Sequence, residues 1–256
     1  MFAAADAYDR YVGRYSPLLA RRLVAIAGVA PGQRAVDVGC GTGALTGQLV
    51  SVLGSGSVAA ADPSEQFVAV CRARNPGVRV SVAPAEALPF GDAEFDHALS
   101  QLVVNFMADA HAGVAEMRRV SRPGGTITAA TWDYAEGMTL IRAFFDAAMA
   151  LDPAAGEHDE GRHMRYCQPG ELHDLWLESG LLDVKVQPVV VSAGYADFDD
   201  LWQPLEHGVG PAGRYAVSLD VEHRQALRDE LRRRLNVGDA PFELTARAWV
   251  ARGQCP

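Results

Sequence analysis

The chain has 256 residues, is 49% hydrophobic and carries a formal charge of −9, which gives a single domain enough apolar material for a sizeable core. The negative balance has the wrong sign for a protein that tracks a phosphate backbone, so a nucleic-acid partner is disfavoured. No apolar run approaches the ~18 residues of a membrane span, and residues 1–7 lack a basic stretch followed by a hydrophobic one, so neither a membrane anchor nor a signal peptide is expected. A cytoplasmic protein, monomeric or homodimeric, is the resulting expectation. Cys40, Cys71, Cys167 and Cys255 are scattered with no Cys-x-x-Cys pair, which predicts neither a zinc site nor a disulfide framework.

In chain order, the first marked feature is Tyr8-Asp9-Arg10-Tyr11-Val12-Gly13-Arg14-Tyr15, rich in aromatic and arginine side chains. Ser16 or Pro17 then starts a helix with Leu18, Leu19, Leu23 and Ile26, stopping near Gly28. Residues 1–30 therefore read as an N-terminal helical cap. A short apolar strand, Ala35–Val38, carries Asp37 near its end and runs into Gly39, Cys40, Gly41 and Gly43. A helical pattern follows directly, with Leu45, Leu49 and Val52 on one face. Glycines at such a turn let the backbone reverse and approach a ligand with no side chain in the way. Dinucleotide-binding proteins use similar turns. The acid two positions before the first glycine favours S-adenosylmethionine, which offers an ammonium, a sulfonium and ribose hydroxyls but no pyrophosphate.

Ser57–Asp62 reads as a second strand ending in an acid. In a doubly wound sheet that position reaches a ribose, where a carboxylate accepts from both hydroxyls; Asp62 can instead cap the helix that opens at Ser64 and Glu65. Further strands are expected at ~78–83, ~94–100 and ~124–131, with helices at ~64–74 and ~107–120 between them. That alternation implies a parallel sheet covered on both faces. After residue 131 the pattern breaks. Residues 132–170 hold Trp132, Tyr134, Phe144, Phe145, His158, His163 and Tyr166 among Pro and Gly punctuation, and read as a helical insertion. A strand at 183–191, interrupted by Pro188, suits a sheet edge. A second insertion, ~195–236, precedes a last alternating strand from Phe242 to Val250.

Four motifs in order, Val36-Asp37-Val38-Gly39-Cys40-Gly41-Thr42-Gly43, the strand-end Asp62, Ala85-Glu86-Ala87-Leu88-Pro89-Phe90 with Phe95-Asp96, and Arg122-Pro123-Gly124-Gly125, make the chain resemble a class I S-adenosylmethionine-dependent methyltransferase. The similar branch includes the ubiquinone/menaquinone methyltransferases and many bacterial small-molecule enzymes, and the likeness covers residues ~34 to 131. It implies an α/β fold, a doubly wound (Rossmann-like), seven-stranded, mostly parallel sheet whose last strand runs antiparallel between the fifth and sixth. It also implies S-adenosyl-L-methionine as cofactor, S-adenosyl-L-homocysteine as product and a small-molecule methyl acceptor. By the same resemblance Asp37, Gly39, Cys40, Gly41, Gly43, Asp62 and the adjoining Pro63 hold the cofactor. Ala85 and Glu86 flank the adenine, and Gln101 meets the methionine moiety. Pro84 departs from the family, which commonly places an acid there to accept from the adenine amino group; Glu86 or a backbone carbonyl is left for that task. Members of the branch also fold an N-terminal segment over the cofactor. An arginine there, Arg14, suits the methionine carboxylate through a two-pronged hydrogen bond, with Tyr8, Tyr11 or Tyr15 closing over it. An aromatic-rich amphipathic helix on the sheet edge is the alternative.

The acceptor is less legible. Ser100-Gln101-Leu102-Val103-Val104-Asn105-Phe106 lacks the Asn/Asp-Pro-Pro-aromatic run of enzymes that methylate amino groups of bases. No carboxylate cluster suggests Mg²⁺, so no metal is expected. Methyl transfer from a sulfonium chiefly needs alignment and exclusion of water, and an acceptor oxygen can also need a base. His163 and His207 are the candidate bases, against the reading of each as a solvent-facing loop histidine. Phe106, Trp132, Tyr166, Trp202 and Tyr215 are candidate pocket aromatics. The two insertions, 132–170 and 195–236, are expected to form one helical lid. Two other classes stay open: an NAD(P)-dependent oxidoreductase using Gly39, Gly41, Ala44 and Asp62, and a non-catalytic S-adenosylmethionine-binding protein.

Overall fold

A computed structural model of the chain describes residues 10–256. Among the described residues seven strands form one sheet: β1 (Ala35–Val38), β2 (Val58–Asp62), β3 (Arg79–Val82), β4 (Phe95–Gln101), β5 (Ser121–Trp132), β6 (Leu182–Tyr195) and β7 (Phe242–Gln254). Their order is β3-β2-β1-β4-β5-β7-β6. Parallel pairing joins β1 to β2 and β4, β2 to β3, and β4 to β5. β7 runs the other way. Gly124 N–H donates to the Cys255 carbonyl at one end of its contact with β5, and Asp133 N–H to the Arg247 carbonyl at the other. The antiparallel strand expected between the fifth and sixth is therefore present, and Pro188 lies on the edge strand.

The central strands are short and apolar because both faces are covered. Every residue of β1 and β2 is buried. The helices that alternate with them start and stop on local signals. α1 (Ser16–Ala27) ends at Gly28, whose φ of 78° is a left-handed stop. α2 (Ala44–Leu53) begins at Gly43. α3 (Glu65–Arg74) is capped by Ser64, whose hydroxyl accepts from Phe67 N–H, and α4 (Ala110–Val120) by Asp109, which accepts from Ala112 N–H.

The chain divides into two units. One comprises Ser16–Thr131, Arg165–Val189 and Ala248–Pro256. Its core on one face joins Val36, Val38, Phe95, Val114, Met117 and Ile127 to Trp176 of α7 (Pro169–Glu178). Trp176 is fully buried and its indole N–H reaches the Ile127 carbonyl at 3.4 Å. The other unit comprises the stretch ending at Tyr15, Trp132–Met164 and Val190–Arg247. It contains α5 (Thr139–Leu151), the short α6 (Glu160–His163), α8 (Phe198–Glu206), α9 (Gly210–Ser218) and α10 (Val221–Leu235). Phe144 packs edge-on against Phe145 and Tyr215, and Phe198 stacks on Trp202.

The first insertion is shorter than the sequence pattern suggests. Residues beyond Met164 return to the sheet unit, where Thr131 donates to the Tyr166 carbonyl at 2.8 Å and α7 packs through Trp176. Among the described residues no helix is long and apolar enough to cross a membrane.

Candidate functional site

The strand order reverses between β1 and β4, since the chain moves from β1 out to β2 and β3 and returns on the other side. Ligands of open α/β sheets bind in the crevice beyond the carboxyl ends of strands at such a switch point. Four features of the sheet unit meet at those ends.

The first is the glycine turn. Gly39 and Cys40 N–H both donate to the Ala61 carbonyl, and Gly43 N–H to that of Cys40, so the turn is bound to β2. Gly39, Gly41 and Gly43 all have positive φ, at 77°, 51° and 92°, which disfavours any other residue. Their surroundings differ. A Cβ on Gly39 would sit 2.4 Å from a Val103 methyl carbon, and one on Gly43 2.4 Å from the Asn75 amide nitrogen, whereas one on Gly41 meets nothing within 4 Å. Gly39 and Gly43 are thus packing glycines. Gly41 faces open space where a ligand can touch backbone.

The second feature is Asp62, at the end of β2. One carboxylate oxygen accepts from Gly41 N–H at 2.9 Å and the other from Ser64 N–H at 2.9 Å. Ser64, not Asp62, caps α3, so the capping alternative for Asp62 is corrected. Each oxygen keeps a lone pair free of these bonds. Pro63, beside it, is exposed.

The third is Asp37, fully buried behind the turn. Thr46 of α2 donates to one oxygen at 2.6 Å, and the other oxygen has no partner among the described residues. Burial pushes this acid up to about 8 against the opposing pull of the Thr46 hydrogen bond. Thr46 escaped sequence reading because its role depends on the packing of α2 over β1. Cys40 packs under the loop with Ala60, Val68, Cys71 and Val80.

The fourth lies past β4. Gln101 donates to the Ser16 carbonyl at 3.1 Å, while its side-chain oxygen is buried without a partner among the described residues. Both amide atoms of Asn105 are also buried and unpaired among the described residues. Buried polar atoms in folded proteins are almost always paired. These orphans, beside an open glycine and a carboxylate with free lone pairs, suit a ligand rich in amine, hydroxyl and carboxylate groups. S-adenosylmethionine meets that description.

Other expected site residues fall elsewhere. Ala85 is buried in the core, and Glu86 accepts from Asp109 N–H at 3.1 Å, so it tethers the start of α4. Arg14 is braced within its own unit: its guanidinium donates to the carbonyls of Arg10 and Gly194 and to both carboxylate oxygens of Asp200. It also lies 3.9 Å over the Tyr195 ring. All its donors are engaged in this internal brace. Tyr11 is buried in the same unit; Tyr8 lies outside the described residues.

Among the pocket aromatics, Phe106 is 63% exposed. Tyr166 is half-buried, with a φ of 56° and Arg165 against its ring. Trp132 packs edge-on to Tyr15, and Trp202 donates to Glu206 at 2.8 Å. Both tryptophans are buried. His163 and His207 are both exposed, and a ring nitrogen of His207 pairs with the Gln203 carbonyl. Among the described residues no three His, Cys, Asp or Glu side chains gather as metal ligands.

Comparison with known proteins agrees with this geometry. A family model described as "Methyltransferase domain" matches residues 36–129. An uncharacterized protein of Mycobacterium tuberculosis is 38% identical over 142 residues, covering 52% of this chain and 51% of its own length. The chain thus spans about half the length of the first curated relatives it matches. A demethylmenaquinone methyltransferase of Shouchella clausii is 30% identical over 62% of this chain and 74% of its own length. In fold the chain is similar to phosphoethanolamine N-methyltransferase 2 of Haemonchus contortus, solved with phosphomonomethylethanolamine and S-adenosylhomocysteine. That likeness has a TM-score of 0.58 at 16% identity and covers 93% of this chain and 52% of that one. The chain belongs to the methyltransferase-domain family, the class I S-adenosylmethionine-dependent methyltransferases.

Proposed function

We propose that this chain transfers a methyl group from S-adenosyl-L-methionine to a small-molecule acceptor and releases S-adenosyl-L-homocysteine. The observation that carries this reading is Gly41, a left-handed glycine open to ligand, hydrogen-bonded through its N–H to a strand-end carboxylate at the topological switch point.

Bound S-adenosylmethionine would supply a methyl group activated by its sulfonium. The chain's own residues bind and orient. Gly41, with Gly39 and Gly43 fixing the turn around it, offers backbone at close approach. Asp62 accepts the ribose hydroxyls on its free lone pairs. The unpaired oxygen of Gln101 and the amide of Asn105 take polar groups of the methionine moiety. Asp37, protonated when buried alone, ionises when a cation approaches, because an opposite charge lowers an acid. The contribution of these groups is alignment rather than acid–base chemistry.

The acceptor is assigned to the unit containing Trp132–Met164 and Val190–Arg247, which the chain enters directly from the carboxyl end of β5. A demethylmenaquinone methyltransferase among the relatives favours an apolar, ring-bearing acceptor. The charge of −9 favours no nucleic-acid substrate. We further take the enzyme to act in the cytoplasm as a monomer or homodimer.

Calorimetry with S-adenosylmethionine and S-adenosylhomocysteine tests the reading, together with release of the latter across an acceptor panel. NAD in excess should not displace either ligand; tight NAD binding would defeat the proposal. Asp62→Ala should weaken S-adenosylmethionine by roughly 1.5–3 kcal/mol, the range for lost hydrogen bonds to a charged group. Unchanged affinity in a folded Asp62→Ala protein would remove this carboxylate from the site.

A further inference from the structure

A second set of unpaired polar groups lies wholly within the unit that contains Trp132–Met164, and the cofactor reading does not use it. After α5 the chain passes through a 3-10 turn, Pro153–His158, to Asp159. Asp159 is 1% exposed and well paired. Its side chain accepts from Gly161 N–H at 2.9 Å and from the Arg142 guanidinium, with Arg162 at 3.7 Å. The Arg142 guanidinium and the adjacent Arg162 hold the Asp159 carboxyl below its usual range, against the opposing effect of its own burial. This ion pair fixes the start of α6 to α5 and presents the next residue, Glu160, in a set position.

Among the described residues Glu160 has no comparable partner. One of its carboxylate oxygens is buried and unpaired among the described residues. Burial, reinforced by the charge of Asp159, pushes this acid up to about 7, against the weaker pull of Arg142 and Arg214. The hydroxyl of Tyr11, a residue only 4% exposed, is also unpaired among the described residues. Burial pushes its phenol up, and Glu160 is the charged neighbour that acts on it most, ahead of Tyr195, Tyr134 and Tyr15. Tyr15 and Tyr195 are satisfied, hydroxyl to hydroxyl at 3.1 Å. Trp132 packs edge-on to Tyr15 at 6.0 Å, and its indole N–H, on a residue 1% exposed, is a third group unpaired among the described residues.

Folded proteins leave very few buried polar groups without partners, and several such groups among aromatic rings mark a binding site. We propose that Tyr11 and Glu160, with the Trp132 indole N–H, form the polar end of a binding site for a hydroxyl- or amino-bearing ring of the methyl acceptor. The role as acceptor site rests on the methyl-transfer reading above. The donor set defines the ligand class. Glu160 accepts from an O–H or N–H, Tyr11 can both donate and accept, and Trp132 only donates. A hydroxyl or amine satisfies this mixture. A carboxylate or phosphate would place like charge beside Glu160 and is selected against. The rings of Tyr15, Tyr134, Tyr195 and Trp132 suit an aromatic body.

The test uses the full chain, its Tyr11→Phe and Glu160→Gln variants, and four probes: phenol, benzylamine, toluene and benzoate. Tyr11→Phe deletes an unpaired hydroxyl and Glu160→Gln an unpaired charge, so both proteins should fold with melting temperatures at or above wild type. Ligand-observed NMR should show phenol or benzylamine binding wild type at least tenfold more tightly than either variant, with toluene weaker and benzoate absent. Affinity for S-adenosylhomocysteine, measured by calorimetry on the same samples, should be within twofold in all three. The site is overturned if phenol and benzylamine bind all three proteins alike, bind wild type no better than toluene, or do not bind. It is also overturned if Tyr11→Phe loses S-adenosylhomocysteine, which would return Tyr11 to the cofactor. If a variant fails to fold, protection of Glu160–His163 amides from hydrogen exchange by phenol in wild type decides the matter, and no protection defeats the site. Should S-adenosylhomocysteine bind none of the proteins while phenol still discriminates, the methyl-transfer reading falls and the binding site stands.

Discussion

Gly41→Val should abolish binding of S-adenosylmethionine, weakening it by more than a hundredfold, about 3 kcal/mol, while leaving the protein folded. A non-glycine residue held at φ 51° costs about 1–2 kcal/mol, and the open space around that position imposes no clash within the protein. The branched side chain instead fills the volume the ligand needs. The neighbouring glycines provide the contrast. At Gly39 and Gly43 even alanine drives a Cβ to 2.4 Å from Val103 or Asn75, so those variants should lose stability, with overpacking alone typically costing about 1–3 kcal/mol. Thermal melting and calorimetry on the three variants read the two effects separately. Normal cofactor affinity in Gly41→Val would show that this turn is not the cradle.

The second large effect is the pH dependence of stability set by Asp37. Burial holds this acid up at about 8, so the folded protein keeps a proton that the unfolded chain releases near its ordinary pKa of ~3.9. The stabilisation is complete below that lower value and is lost as pH rises toward 8. Each pH unit inside the window corresponds to about 1.4 kcal/mol, so between pH 5 and 8 the loss reaches at most about 4 kcal/mol. Asp37→Asn keeps an acceptor for Thr46 and cannot ionise. Its stability relative to wild type should therefore rise across the window by up to that amount, read from urea unfolding at pH 5, 6.5 and 8. Parallel stability curves for the two proteins would show that Asp37 is not held protonated in the ligand-free fold.

Most of the sheet was legible from residue order alone. β1 and β2 are short buried runs, β3 to β5 follow at the spacing of a βα alternation, and the helices between them open on Ser64 and Asp109, while the helix ahead of β1 stops on Gly28. These are local signals: a cap or a left-handed glycine acts on residues two to four positions away. The glycine turn and the strand-end acid belong to the same class, since both follow from a strand giving way to a helix. The position of β7 between β5 and β6 came instead from family resemblance, because nothing local fixes which strand a chain end pairs with.

The fate of individual polar side chains was set by partners far along the chain. Arg14 looks from its neighbours like a free guanidinium, yet Gly194 and Asp200, 180 and 186 residues away, take its donors. The same distance effect makes Trp202 core and returns residues 165–189 to the sheet. Among the acids near position 160 the sequence shows two equal carboxylates. Only the packed structure gives Arg142 to Asp159 and leaves one Glu160 carboxylate oxygen buried without a partner among the described residues. The sequence by itself determined the elements, the turn and the family, because these depend on short-range backbone geometry. Only the folded chain shows which glycine faces open space and which polar groups remain unsatisfied among the described residues. Burial and pairing are properties of the folded whole, because desolvation and partner geometry do not exist until distant segments meet.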